Sequence, residues 1–87
     1  MKGEKTMTKI TSAAQALKAV ESEEIKAGSI LMDTNGIFEI VETYPYRSGE
    51  VIAEARELWI DEDGNYIPDP YGNKFYWTAA DLVKMEY

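Results

Sequence analysis

The sequence contains no cysteine and no histidine. A disulfide is therefore excluded, and so is a zinc site built from cysteine and histidine ligands. The groups left for acid–base chemistry are those of aspartate, glutamate, lysine and tyrosine. A nucleophile elbow, a phosphate-binding loop and a dinucleotide fingerprint are also missing. We therefore expect no catalytic residue, no metal site and no cofactor, and a protein that is not an enzyme.

Long apolar runs are missing as well. A bilayer-spanning helix needs about 20 apolar residues, and no run in the chain approaches that length. The first ten residues include three lysines, but no apolar segment follows them, so the sequence does not predict a secretory signal. We expect a cytoplasmic protein, either of a bacterium or of a host cell that carries a phage.

Basic residues are scarce. The chain of 87 residues has nine lysines and arginines and sixteen aspartates and glutamates, which gives a net charge of −7. The acids are concentrated in the middle of the chain, where Glu21 to Asp63 contains twelve of them against Lys26, Arg47 and Arg56. A domain of this charge is repelled by nucleic acid and by anionic membranes. We expect direct binding to neither, and a basic protein surface as the partner.

The first part of the chain predicts a flexible tail over residues 1–9 and then a helix from Ile10 to about Lys26. Ser12 is suited to be the N-cap, and Gln15 completes a capping-box pattern. Gly28 is a plausible stop signal. Residues at spacings of three and four predict the buried stripe of the helix: Ile10, Ala13, Leu17 and Val20.

A hairpin is predicted next. Ser29–Met32 and Ile37–Thr43 are apolar runs on either side of Asp33-Thr34-Asn35-Gly36, and Asn-Gly between such runs is a strong hairpin signal. The alternation of the second run predicts that Phe38 and Ile40 share one face. Ile37 and Val41 would then share the other face.

The segment from Val51 to Ile60 allows two interpretations. As a helix it has high propensity and would place Ile52, Ala55 and Trp59 on one stripe. As a strand it fits between the turns on either side of it, with a β-bulge near Arg56 or Glu57 to bring its apolar residues to one face. We favour the strand because the flanking turns predict a meander.

The remaining segments are short. Asp61–Asn65 predicts a turn, residues 68–73 an irregular loop, and Lys74–Trp77 an aromatic strand. Thr78 is expected to cap a final helical turn with Asp81 at its third position. After that turn the chain ends either as helix or as a closing strand.

These elements predict an α+β fold: an N-terminal helix, a small twisted antiparallel sheet and a short C-terminal helical turn, in a single domain over residues 10–87. Ile25–Leu31 together with Trp77–Leu82 resembles the rims of small SH3-like barrels over about a dozen residues. The resemblance implies a closed barrel as the alternative to an open sheet.

Asp61, Asp63 and Asn65 have the spacing of the first ligands of a calcium loop. The pattern fails at the next positions, since Tyr66 stands where glycine is required and Gly72 where a bidentate glutamate is required. We therefore interpret the segment as turn chemistry.

Six tyrosines are present, and tyrosine is enriched in protein interfaces. Tyr44, Tyr46 and Tyr71 lie in loop-like segments, where they are either contact anchors or the rim of the core. The core itself is predicted to contain Phe38, Trp59, Phe75 and Trp77.

An acidic stripe follows the predicted sheet and its turns: Glu39, Glu42, Glu50, Glu54, Glu57, Asp61, Glu62 and Asp63. In size and charge the chain resembles small acidic phage proteins, among them DNA-mimic and anti-CRISPR inhibitors. The alternative is a solvated face that keeps the protein soluble.

The sequence thus favours a non-enzymatic, acidic protein-binding module, in its sharpest form a phage-type viral inhibitor of a nucleic-acid-handling protein. A structural or accessory homo-oligomer of a phage or bacterium is the first alternative, and a carboxylate-dependent enzyme is the second. The predicted partner-binding residues are Glu54, Glu57, Asp61, Glu62, Asp63, Tyr44, Tyr46 and Tyr71.

Overall fold

The protein has an α+β fold in which one helix packs with an antiparallel five-stranded sheet. The structure, a computed structural model, describes residues 7–44 and 50–87. In chain order the elements are α1 (Ala13–Glu21), β1 (Ile30–Asp33), β2 (Gly36–Thr43), β3 (Ala53–Ile60), β4 (Tyr66–Pro68), β5 (Lys74–Trp77) and a 3₁₀ turn (Ala80–Leu82). Over the described ranges the strands form an open sheet, so the fold class is confirmed and the closed barrel is not formed.

Helix α1 begins where its capping residue predicts, although it is shorter than expected. The hydroxyl of Ser12 accepts a hydrogen bond from the Gln15 amide at 3.1 Å. The chain leaves the helix after Glu21, because Glu23 adopts a φ of 66° and turns the backbone so that Ile25 is buried. The predicted stripe is right for Ile10 and Val20, but Ala13 is exposed and Leu17 is half-buried. The residues of α1 that are buried instead are Ala16 and Ala19.

Strands β1 and β2 form the predicted hairpin. Asp33 pairs with Gly36, and the Asp33 carboxylate accepts hydrogen bonds from the amides of Asn35 and Gly36 at 2.7 and 3.2 Å. Phe38 and Ile40 are buried on the inner face of the sheet, as their alternation predicts. The hairpin therefore follows from local sequence.

Strand β3 is the centre of the sheet, which confirms the strand interpretation of this segment. The predicted bulge near Arg56 or Glu57 is wrong, because pairing with β2 is regular there and the irregularity lies in β2, between Ile40 and Glu42. Leu58 is buried although it faces away from Ala55, since Ile37 and Pro68 flank it on the neighbouring strands.

Two short strands share the other edge of β3. β5 pairs with its first half and β4 with its last three residues. Asp69 lies between them: its amide donates to the Glu57 carbonyl at 3.0 Å, and its carboxylate accepts from the Tyr71 amide and the Asn73 side chain. Asp69 is buried, so these bonds hold the loop that connects the two strands.

The core lies between α1, the 3₁₀ turn and the inner face of the sheet, and its aromatic part consists of Phe38, Phe75 and Trp77. The 3₁₀ turn has the predicted reciprocal bonds between Thr78 and Asp81. Beyond it the chain ends extended, with Glu86 bridged to Met32 of β1 and to Lys9. Thr8 exchanges two backbone hydrogen bonds with Tyr87.

Candidate functional site

Apolar side chains are exposed mainly on one part of the molecule, the hairpin formed by β3 and β4 together with the loop after it. Among the described residues, eight large hydrophobic side chains are exposed, and five of them belong to this hairpin. We call these five the hairpin surface: Trp59, Ile60, Tyr66, Ile67 and Tyr71. The most exposed are Ile60 at 58% and Tyr71 at 78%. A concentration of this kind is typical of an interaction site.

The exposure follows from where the strands end. β3 pairs with β2 only as far as Leu58, which is opposite Ile37. Trp59 and Ile60 continue past that point, and their partners on β4 are Ile67 and Tyr66. This end of the sheet is therefore only two strands wide, and an isolated two-stranded hairpin has no core on which to bury its side chains.

Both faces of the hairpin are apolar. The pair Trp59–Ile67 lies on one face, and the pair Ile60–Tyr66 lies on the other. The ring of Tyr71 packs edge-to-face against Trp59, with centroids 6.0 Å apart and an interplanar angle of 68°. The first face therefore presents two aromatic rings in contact with each other.

The tip of the hairpin is acidic. The Asp61 carboxylate accepts from the amides of Asp63 and Asn65 at 2.9 and 2.8 Å, so it stabilises the turn. This agrees with the interpretation of the segment as turn chemistry. Glu62 and Asp63 are exposed, and within residues 7–44 and 50–87 their carboxylates have no hydrogen-bond or ion-pair partner.

The charge of the whole segment has one sign. Residues 57–71 contain five acids, Glu57, Asp61, Glu62, Asp63 and Asp69, and no lysine or arginine. The segment that exposes the hairpin surface therefore carries five of the seven units of net negative charge. The hairpin combines an apolar contact area with a strongly negative potential.

The predicted partner-binding residues divide into two groups. Asp61, Glu62, Asp63 and Tyr71 lie on the hairpin or the loop that follows it, and Glu57 is where its acidic segment begins. The others are elsewhere or outside the described residues: Glu54, Tyr44 and Tyr46.

Glu54 lies on the outer face of the sheet and is not free for a partner. It accepts a hydrogen bond from the Tyr44 hydroxyl at 3.4 Å and pairs with Lys74 at 3.4 Å. Its carboxylate and that phenol therefore contribute to local structure, whereas Tyr46 lies outside the described residues.

The predicted acidic stripe is interrupted by basic residues. Arg56 forms a 2.7 Å ion pair with Glu39, and Lys74 pairs with Glu54. Glu42 remains exposed directly opposite Glu54. The outer face of the sheet is therefore partly neutralised, whereas the described residues provide no counter-charge for Glu62 and Asp63 at the hairpin tip.

Sequence reasoning missed four members of the hairpin surface. Trp59 was predicted to be core, yet 42% of it is exposed, because the pairing of β3 with β2 ends one residue before it, at Leu58. Ile60, Tyr66 and Ile67 were not singled out. The available signal was the apolar run Leu58-Trp59-Ile60 directly before an acidic turn, where alternation must place apolar side chains on both faces.

Comparison with known protein families, with curated proteins and with solved structures found no match to this chain. Within residues 7–44 and 50–87, each helix is too short and too polar to cross a bilayer.

Proposed function

We propose that this protein is a non-enzymatic, acidic binding module that docks its β3–β4 hairpin on a basic surface of another protein. The observation that supports the proposal is the coincidence of the hairpin surface with a segment of five acids and no base. Aromatic side chains such as tryptophan and tyrosine are enriched among the residues that dominate the affinity of protein interfaces, and charges around them accelerate association.

A basic partner fits this hairpin better than a second copy of the chain. Two hairpins that met face to face would bring ten acids together without a compensating base. Placing like charges opposite each other across an interface weakens binding by several kcal/mol. The same charge argues against docking on nucleic acid or on an anionic membrane.

The sharper form of the proposal is inhibition of a nucleic-acid-handling protein. Such a protein offers a basic surface, and a hairpin seated on it would exclude the nucleic acid. The support is the uncompensated charge of the hairpin, and not a row of carboxylates along the sheet, since Glu39 and Glu54 are paired with cations. Competition between this protein and DNA for the captured partner tests this form directly.

The docking proposal is tested with two variants that each remove two negative charges. Glu62→Gln/Asp63→Asn changes the hairpin tip, and Glu21→Gln/Glu42→Gln is the matched control at exposed sites away from it. Wild type and both variants are immobilised in parallel, exposed to bacterial lysate at low salt, and then compared in kinetics with the captured protein.

We expect the tip variant to associate several-fold more slowly at low salt and to converge with the wild type at high salt, because rim charges act mainly on the association rate. The control should behave as wild type. An equal effect of both variants would show non-specific charge attraction. A dimer at micromolar concentration in sedimentation velocity, abolished by Ile60→Ala, would instead favour the homo-oligomer.

A further inference from the structure

Glu57 has an unusual position at the base of the hairpin. The residue is half-buried, and in the described part of the chain its carboxylate has no hydrogen bond and no ion pair. It shares the inner face of the sheet with Phe38, which is its partner on β2. A Cβ atom on Gly36 would lie 3.4 Å from Glu57 Oε2 and 3.5 Å from Phe38 Cζ. The Glu57 carboxylate therefore lies beside the backbone of Gly36, which has no side chain. Glu57 therefore presents a carboxylate without a counter-charge at the base of the hairpin.

Two aromatic rings continue the same face. Trp59 follows Glu57 by two residues on β3, so both side chains point to one side of the hairpin with about 7 Å between their Cα atoms. Tyr71 packs against the Trp59 indole. The loop that contains Tyr71 is tied to Glu57 itself, since the Asp69 amide donates to the Glu57 carbonyl.

The basic residues of β3 and β5, Arg56 and Lys74, do not pair with Glu57. Arg56 points to the opposite face of β3, where it pairs with Glu39 at 2.7 Å. Lys74 is on that same outer face and pairs with Glu54. Among the described residues, no lysine or arginine pairs with Glu57, so its carboxylate is open to a cation of a partner.

We propose that the face formed by Glu57, Trp59 and Tyr71 receives an arginine side chain of the partner protein. A guanidinium is planar, pairs with a carboxylate through two parallel hydrogen bonds and stacks on aromatic rings. An ammonium is a compact point charge that provides neither this bidentate geometry nor a planar surface for stacking. Cations are attracted to the faces of tryptophan and tyrosine. This inference rests on the proposed docking function and specifies which side chain of the partner the hairpin recognises.

The test needs no identified partner. The ¹⁵N-labelled protein is titrated with the blocked tripeptide acetyl-Gly-Arg-Gly-amide, and the two indole N–H signals are followed by NMR. Trp59→Phe assigns the signals, and Trp77, which packs against the core, is the internal reference. Peptides with lysine or with uncharged citrulline in place of arginine are the ligand controls.

We expect a saturable shift of the Trp59 signal at millimolar peptide, several-fold weaker binding of the lysine peptide, no shift with citrulline and no response of Trp77. Glu57→Gln should weaken binding about tenfold, which corresponds to about 1.4 kcal/mol. Glu42→Gln, which removes an exposed carboxylate from the opposite face, should leave the affinity unchanged.

The inference is overturned if the arginine and lysine peptides bind equally, if Glu57→Gln binds as wild type, or if no shift of Trp59 saturates. An absent peptide response together with hairpin-dependent capture of a protein refutes arginine recognition and leaves docking intact. Arginine-specific binding without any hairpin-dependent partner supports the arginine site and contradicts the docking function.

Discussion

Ile40→Ala and Ile60→Ala make the same chemical change in neighbouring strands and should have opposite consequences. Ile40 is 1% exposed and belongs to the core. Ile60 is 58% exposed and belongs to the hairpin surface. We expect Ile40→Ala to lower stability strongly and Ile60→Ala to lower it little while weakening partner binding.

The magnitudes follow from burial. Truncation removes three carbon atoms, each worth about 0.8 kcal/mol when fully buried, so Ile40→Ala loses about 2.4 kcal/mol of transfer free energy. The cavity left behind adds to this, and the total should lie at about 3–4 kcal/mol. More than half of Ile60 is already in contact with water, so its loss should be about 1 kcal/mol or less.

Urea unfolding followed by circular dichroism measures both values. With a slope of roughly 1 kcal/mol per molar urea for a domain of this size, the midpoint should fall by about 3 M for Ile40→Ala and by less than about 1 M for Ile60→Ala. Equal shifts would mean that the hairpin is packed against something in the folded protein. That result would refute the claim that its apolar faces are available to a partner.

Three further predictions concern stability. Asp69→Ala should cost about 1–3 kcal/mol in thermal unfolding and release the Tyr71 ring, since buried donors lose their acceptor; an unchanged melting temperature would contradict this. Ser12→Ala should cost about 0.5–2 kcal/mol through loss of the helix cap, and no loss would show that the cap is dispensable. Burial and the hydrogen bond to Glu24 raise the pKa of Tyr87, because both favour the neutral phenol in the folded state. Its contribution is therefore present below about pH 10 and lost as the pH rises through the raised pKa, so Tyr87→Phe should lose less stability than wild type in alkaline titration.

Local chemistry was sufficient wherever a few neighbouring residues determine the structure. Ser12 predicts the start of α1, and the Asp33–Gly36 turn predicts the first hairpin. The strand Lys74–Trp77 was placed correctly because aromatic residues follow a run of turn formers. The predicted helix end near Lys26 was wrong, since the true end depends on the burial of Ile25 in the tertiary core.

The candidate site was only partly visible in the sequence. Its charge could be counted, and Asp61, Glu62, Asp63 and Tyr71 were singled out because acids and loop tyrosines are recognisable by type. The ion pairs of Glu39 and Glu54 could not be foreseen, because they join residues of different strands whose register is a long-range property.

The sequence by itself determined the α+β class, the positions of the turns, the net charge and its concentration in the middle of the chain. Only the tertiary structure decided that Trp59 and Ile60 lie beyond the last pair of β2 and β3, and that β4 and β5 share one edge. Turns and caps depend on residues a few positions apart, so they can be read locally. The exposure of Trp59 depends instead on where a strand some twenty residues earlier begins, and only the folded sheet brings those two positions together.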